Sequence, residues 1–420
     1  MGSYSGSTAT TDNLHEDQLP PLYASLAIEG LPPFHQTVHL DEAEAQLAKI
    51  AARWNIPSFD DYCRLSLFTA SVAHSKVIST NRLVDISLQY CLVFLLDDLL
   101  FDAPNDDLLE GFGICRSERE SIESIQACLD RVNGIFSQVE PPTDPSKIES
   151  ITWELGHDMR QLSTPDWFRY FAKTVVDYHQ ACIDSLAHIL AGNDVDLKDV
   201  DSYVRMRVDN FAGPMICTLT EFANNVYVPE DLRPEPWAKE VVKSASSHLM
   251  LINDIYSYHK ESTQELQPIN LITVLMKTKG MSLAEAVRRD IELVNSNART
   301  IFDLEAQLMM SDSLNELPQP GAGGYTTVTT TAGSLNPFVG ICSTWKSFLL
   351  EYFQGIKELI SGGLYFHSFH RRYRHPNNTF PELRDVHHRK VQTSDLLLVS
   401  EYVTLKIIAY PTTEATSLVT

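Results

Sequence analysis

Leu251-Ile252-Asn253-Asp254-Ile255-Tyr256-Ser257-Tyr258-His259-Lys260-Glu261 sets an amide, a hydroxyl and a carboxylate at i, i+4 and i+8. On an α-helix, residues so spaced share one face, drifting about 40° per step, and lie about 6 Å apart along the axis. All three side chains offer hard oxygen atoms, the donors that Mg²⁺ takes while keeping waters and phosphate oxygens in its shell. A polar stripe of this kind on a surface helix would simply be solvated. Here it runs through Leu251, Ile252, Ile255, Tyr256 and Tyr258, so a hydrated site inside an apolar helix packing is expected.

Outward from that stretch the chain reads as all-α. Helical periodicity runs over Glu42–Ala52, Phe59–Lys76 and Thr80–Phe101, then over Ser117–Phe136, Ser146–Gln161 and Trp167–Leu190. It continues at Asp199–Asn210, Pro214–Asn225, Glu235–Glu261, Asn270–Lys277 and Ser282–Met310, with Trp345–Ile360 and Leu364–Arg374 as two closing helices. Pro229, Pro234, Pro236 and Pro268 fall between elements or in a first turn, where a missing N–H costs nothing. No alternating strand pattern and no fixed-period repeat interrupts this. The expected organisation is a flexible lead-in over 1–38, one helical domain over 39–375 and a C-terminal extension over 376–420. The Gly/Thr/Ser-rich stretch 318–337 has no helical period and is expected as an irregular insertion.

Composition narrows the partners. The 420 residues are 44% hydrophobic, enough for a large core, and the formal net charge is −22. That charge argues against nucleic acid or an anionic membrane surface as partner. Seven scattered cysteines with no C-x-x-C pair fit reduced, buried thiols. The N-terminal residues are polar, without an apolar leader, and no apolar run approaches a membrane span. A soluble, cytoplasmic protein is expected.

A second acidic group, Asp97-Asp98-Leu99-Leu100-Phe101-Asp102, ends the apolar segment Tyr90–Leu96. Asp98 and Asp102 are one helical turn apart with Asp97 beside them, and a divalent ion would relieve their repulsion. Two hard-ligand clusters on separate helices suggest one shared site. Cations suited to phosphate occur on Tyr203-x-Arg205-x-Arg207, at Lys260 and on Arg371-Arg372-Tyr373.

Together these residues resemble the class I terpene cyclases of the fungal sesquiterpene synthase type. Asn253-Asp254-x-x-Ser257-x-x-x-Glu261, with Lys260 before the Glu, matches that family's N-D-x-x-S-x-x-x-E motif at every defined position. Asp97-Asp98-x-x-x-Asp102 resembles its aspartate-rich motif, with the third carboxylate one residue later than in D-D-x-x-D. Gly362 to Tyr373 resembles the segment ending in its Arg-Tyr pair, with Phe366 where Trp is common. Tyr203-x-x-x-Arg207 looks like the element carrying its diphosphate-sensing arginine, and Arg207 is preferred to Arg205 in that role. The resemblance implies a helical bundle around a central apolar cavity that binds a prenyl diphosphate with three Mg²⁺ ions. Asp97, Asp98, Asp102, Asn253, Ser257 and Glu261 would then be metal ligands. Arg207, Lys260, Arg372 and Tyr373 would hold the diphosphate, and Phe94 and Phe366 would line the hydrocarbon contour, with Phe68 and Phe211 as further candidates. The implied reaction is cyclisation of farnesyl diphosphate by a monomer or homodimer. The alternatives are a chain-elongating prenyl diphosphate synthase and a helical scaffold without activity.

Overall fold

A computed structural model describes residues 21–33, 35, 37–56, 58–101, 122–190, 200–263, 270–311 and 345–384. The insertion expected at 318–337, Asp102, and most of the extension from 376 lie outside the described residues. Among the described residues the chain forms thirteen α-helices and no strand. In order these are α1 Leu22–Leu26, α2 Leu40–Trp54, α3 Phe59–Ala73, α4 Thr80–Phe101, α5 Ile122–Ser137, α6 Lys147–Leu162 and α7 Pro165–Leu190. There follow α8 Val200–Asn210, α9 Gly213–Asn224, α10 Pro236–Ser262, α11 Leu271–Lys279, α12 Leu283–Met310 and α13 Trp345–Phe369.

The starts obey local rules. Ser146 and Ser282 form capping boxes with Glu149 and Glu285 at the heads of α6 and α12, satisfying backbone N–H groups that have no partner within the helix. Helix α4 is apolar nearly all round, as suits a helix enclosed by others. Arg82, near its start, reaches the carbonyls of Phe222 and Leu162, the Tyr227 hydroxyl at 2.9 Å and Asn225 Oδ1 at 2.9 Å. One guanidinium thus supplies donors to the C-terminal ends of α6 and α9, where carbonyls would otherwise be buried without partners.

Two apolar cores result. One is built on α2 to α7, α9 and the first half of α13; the other gathers the second half of α10, α11, α12, α1 and the end of α13. Phe68, Phe94 and Phe211 pack against both, and this seam is where the chain leaves a cavity.

Two expectations are corrected. Residues 22–26 belong to the fold: α1 buries Leu22 and Leu26, and Leu22 N donates to Glu382 at 2.9 Å. Asn295 holds the Ser25 carbonyl and Ser361 the Pro32 carbonyl, so partner groups far along the chain fix this stretch. Nor does Ser361-Gly362-Gly363 divide two helices, since α13 runs through it. A Cβ on Gly362 would stand 1.9 Å from the Val72 carbonyl oxygen and 2.8 Å from Ala73 Cα. The glycine is there so that α13 can lie against the end of α3.

In a helix interior Ala is ordinarily favoured over Gly by about 1 kcal/mol. Gly362→Ala is expected instead to destabilise by about 3 kcal/mol, because the obstructing atoms are backbone and cannot swing aside. Urea unfolding measures it, and an unchanged or raised midpoint would show that α3 and α13 can part cheaply.

Candidate active site

The cavity at the seam has a volume of about 800 Å³. Its lining includes Asp97 and Phe94 from α4, Arg207 and Asn210 from α8, Asn253, Ser257, Lys260 and Glu261 from α10, Phe366 near the end of α13, and Arg372 and Tyr373 in the 3-10 turn just beyond it. Eleven of the residues singled out in the sequence, Phe211 included, therefore line one hollow.

Helical register explains the α10 face. Asn253, Ser257 and Glu261 line the cavity while Asp254, one residue on, turns into the protein and is fully buried. Asn270 Nδ2 donates to Glu261 Oε2 at 2.7 Å and also to the Asp254 carbonyl. Burial, with the charge of Asp97 adding to it, raises the Glu261 pKa despite Arg207, Asn270 and Ser257 pulling it down. Such a carboxylate gains from a cation.

On the opposite wall Asp97 receives Arg372 Nη2 at 3.1 Å, and the same guanidinium lies 5.7 Å from the centre of the Phe94 ring. Phe94 precedes Asp97 by one turn and shares its face. Asp98 does not share it. Its carboxylate turns towards α3, accepts the Tyr62 hydroxyl, and lies 4.0 Å from Arg372 Nη2. It is absent from the cavity lining, because one step along a helix rotates a side chain by about 100°.

Arg207 and Arg205 separate clearly. Arg205 is exposed and donates to Ser202 Oγ at 3.1 Å. Arg207 lines the cavity, donates to Asn210 Oδ1 at 2.7 Å and lies 3.7 Å from Asp254 Oδ1. Burial alone would lower its pKa, but Asp254, Tyr203, Glu261 and Asp97 outweigh that and the net shift is upward. Helix α8 then stops: Ala212 adopts a left-handed backbone (φ 63°), and Gly213 opens α9 in close contact with Ser246. Lys260 stands exposed at the mouth, beside His259.

Aromatic rings make up much of the remaining lining: Tyr90, Phe94, Tyr178, Phe211, Tyr256 and Phe366. Several hydroxyls among these rings are already engaged. Tyr90 OH lies 3.1 Å from His74 Nε2, a ring that burial keeps neutral by lowering its pKa to about 3. Tyr256 OH pairs with Ser368 Oγ at 2.7 Å. Phe366 meets Tyr373 edge-on at 5.8 Å. Phe68 packs against Phe366 at 6.0 Å but is not part of the lining.

Sequence reasoning gave no role to Asn270, Asp254 or His367. Asn270 is legible as an N-cap, since its Oδ1 accepts from Ile272 N at 3.0 Å, yet its reach to Glu261 depends on how α11 docks. His367 lines the cavity and is buried, with its pKa lowered to about 4 by that burial. It had no local signal beyond its place beside Phe366.

The donor set suits a divalent cation held jointly with phosphate. Among the described residues no three His, Cys, Asp or Glu side chains converge into a closed protein cage. An amide, a hydroxyl and a carboxylate on one helix, with a carboxylate across the cavity, leave room in the shell for water and ligand oxygens.

Known proteins share parts of this sequence and its fold. A (+)-T-muurolol synthase that cyclises (2E,6E)-farnesyl diphosphate, from Streptomyces clavuligerus, is 30% identical over 125 residues, covering 30% of this chain and 30% of its own. A silphinene synthase of Penicillium patulum is 26% identical over 197 residues, covering 46% of this chain and 52% of its own. The chain thus spans about half or less of the length of these relatives. The crystal structure of a linalool/nerolidol synthase of Streptomyces clavuligerus in complex with 2-fluorogeranyl diphosphate superposes with a TM-score of 0.62 at 15% identity, over 82% of this chain and all of the other. That likeness is one of fold. Residues 90–300, which run from the second half of α4 through α8 and α10 into α12, match the model of terpene synthase family 2, C-terminal metal binding; they make up half of the chain, and the chain belongs to the terpene synthase family.

Proposed function

We propose that the chain ionises farnesyl diphosphate with Mg²⁺ and cyclises the resulting cation to a sesquiterpene, releasing diphosphate, as a cytoplasmic monomer or homodimer. One observation carries this reading. Oxygen donors, cationic donors and aromatic rings line a single cavity of about 800 Å³. Farnesyl diphosphate is preferred because a relative's name specifies it and because the volume suits a ligand of that size.

In this reading Asp97, Asn253, Ser257 and Glu261 hold the metal, which when bound neutralises the charge that grows on the departing diphosphate. Asp98 is a weaker candidate than its neighbour, being turned to Tyr62. Arg207, Arg372, Lys260 and Tyr373 bring N–H and O–H donors to the same end, and fixed donors there lower the barrier to breaking an allylic C–O bond. Arg372 and Arg207 are held near the carboxylates of Asp97 and Asp254, so both cations are already in place at the mouth. The hydrocarbon then lies against Phe94, Phe211, Tyr256 and Phe366. A carbocation over an aromatic face gains about 0.5–2 kcal/mol. With the hydroxyls of Tyr90 and Tyr256 engaged by His74 and Ser368, these rings offer faces rather than nucleophiles.

The test is chromatography of products from geranyl, farnesyl and geranylgeranyl diphosphates with and without Mg²⁺. A cyclic C15 hydrocarbon that needs Mg²⁺ is expected. Lengthened prenyl diphosphates formed with isopentenyl diphosphate would indicate a chain-elongating enzyme, and inert but folded protein a scaffold.

A further inference from the structure

His367 lies on α13 and its Nδ1 is 2.7 Å from the Gly363 carbonyl oxygen one turn back. A carbonyl oxygen only accepts, so Nδ1 carries the proton, and in a neutral imidazole Nε2 is then an acceptor. Nε2 lies 3.4 Å from the side-chain nitrogen of Asn253. That same nitrogen donates to the Tyr373 hydroxyl at 3.1 Å. Which end of an asparagine amide is nitrogen follows from its partners. With the Gly363 carbonyl fixing the imidazole, turning the Asn253 amide over would set its oxygen against the Nε2 lone pair. Both hydrogens of the amide therefore face the end of α13, and Oδ1 is left on the other side.

We propose that His367 is a positioning residue that, with Tyr373, locks the Asn253 amide so that its oxygen is presented to the cation site it shares with Ser257 and Glu261. The inference rests on the reading of Asn253 as a metal ligand. An unrestrained amide would present its NH₂ part of the time, and an NH₂ group repels a cation. Groups that orient a ligand from behind in this way typically alter metal affinity by about 10–100-fold when removed.

The test uses the full chain and inorganic diphosphate with Mg²⁺, followed by titration calorimetry, with the Mg²⁺ dependence of product formation alongside. His367→Phe keeps a ring but removes the acceptor; His367→Gln places an amide oxygen near the position of Nε2. His367→Phe is expected to weaken Mg²⁺-dependent diphosphate binding and to raise half-saturating Mg²⁺ by about 10–100-fold. His367→Gln should recover both to within about threefold of the wild type. If the Phe variant fails to fold, Met supplies similar bulk with only a weak acceptor. Equal losses in the acceptor-bearing and acceptor-free variants, or no loss in either, would overturn the proposal. Asn253→Ala separates the two readings. Binding that survives it shows that Asn253 is not a ligand at all. Binding lost in Asn253→Ala but kept in His367→Phe rejects only the positioning role.

Discussion

Asn253→Ala is expected to slow conversion of farnesyl diphosphate by about a thousandfold, some 4 kcal/mol of transition-state stabilisation, while leaving the helical circular dichroism intact. Both halves follow from placement. Asn253 is only half-buried, and its side chain bonds to Tyr373 and His367 rather than bracing the core. Loss of the amide removes one of three oxygen donors on the α10 face, and diphosphate would leave with its charge less well offset. Asp97→Ala should behave alike, since Asp97 is 45% exposed and its ion pair with Arg372 contributes little to folding. Retained cyclisation in a folded Asn253→Ala protein would remove the α10 face from the chemistry.

The features that were legible in the sequence are those a single helix can carry. Asn253, Ser257 and Glu261 declare a common face by spacing alone, and Phe94 and Asp97 do the same one turn apart. Choosing between Asp97 and Asp98 needed more. Both end the same apolar helix, and only the rotation of α4 against α3, with Tyr62 in reach of Asp98, decides which carboxylate meets the cavity. The separation of Trp345–Ile360 from Leu364–Arg374 failed for a related reason, since one helix runs from the first into the second. Two glycines lower helix propensity locally, but close packing against Val72 outweighs that cost, and no local pattern announces the neighbour. Residues 22–26 look like part of a polar lead-in because their partners, Glu382 and Asn295, lie some 270 to 360 positions away. His367 and Asn270 were invisible as site residues because their meaning is entirely tertiary.

Asp254→Leu is expected to destabilise the protein by about 3–5 kcal/mol, the range for breaking a buried charge pair from one side. Asp254 is fully buried, and three helices depend on its carboxylate. The Tyr203 hydroxyl of α8 donates to Oδ2, as does the Leu271 backbone N–H at 3.1 Å in the first turn of α11. Arg207 lies 3.7 Å from Oδ1. Leucine would fill the space but leave a phenol and a helix-terminal N–H without an acceptor, and each such loss costs about 1–3 kcal/mol. It would also leave the Arg207 guanidinium, 14% exposed, without its nearest counter-charge. Asp254→Asn supplies the comparison. Its amide oxygen can still accept from Tyr203 and Leu271, so a loss of about 1–2 kcal/mol is expected, mostly from the missing charge beside Arg207. Thermal unfolding should therefore order the proteins wild type, Asn, Leu, with the Leu midpoint lower by about 5 °C. Activity should fall further than stability in the Asn variant, because an Arg207 released from Asp254 is no longer fixed at the cavity mouth. If the Asn and Leu variants unfold together near the wild-type midpoint, the carboxylate does not tie α8 and α11 to α10, and Arg207 must be held by other means.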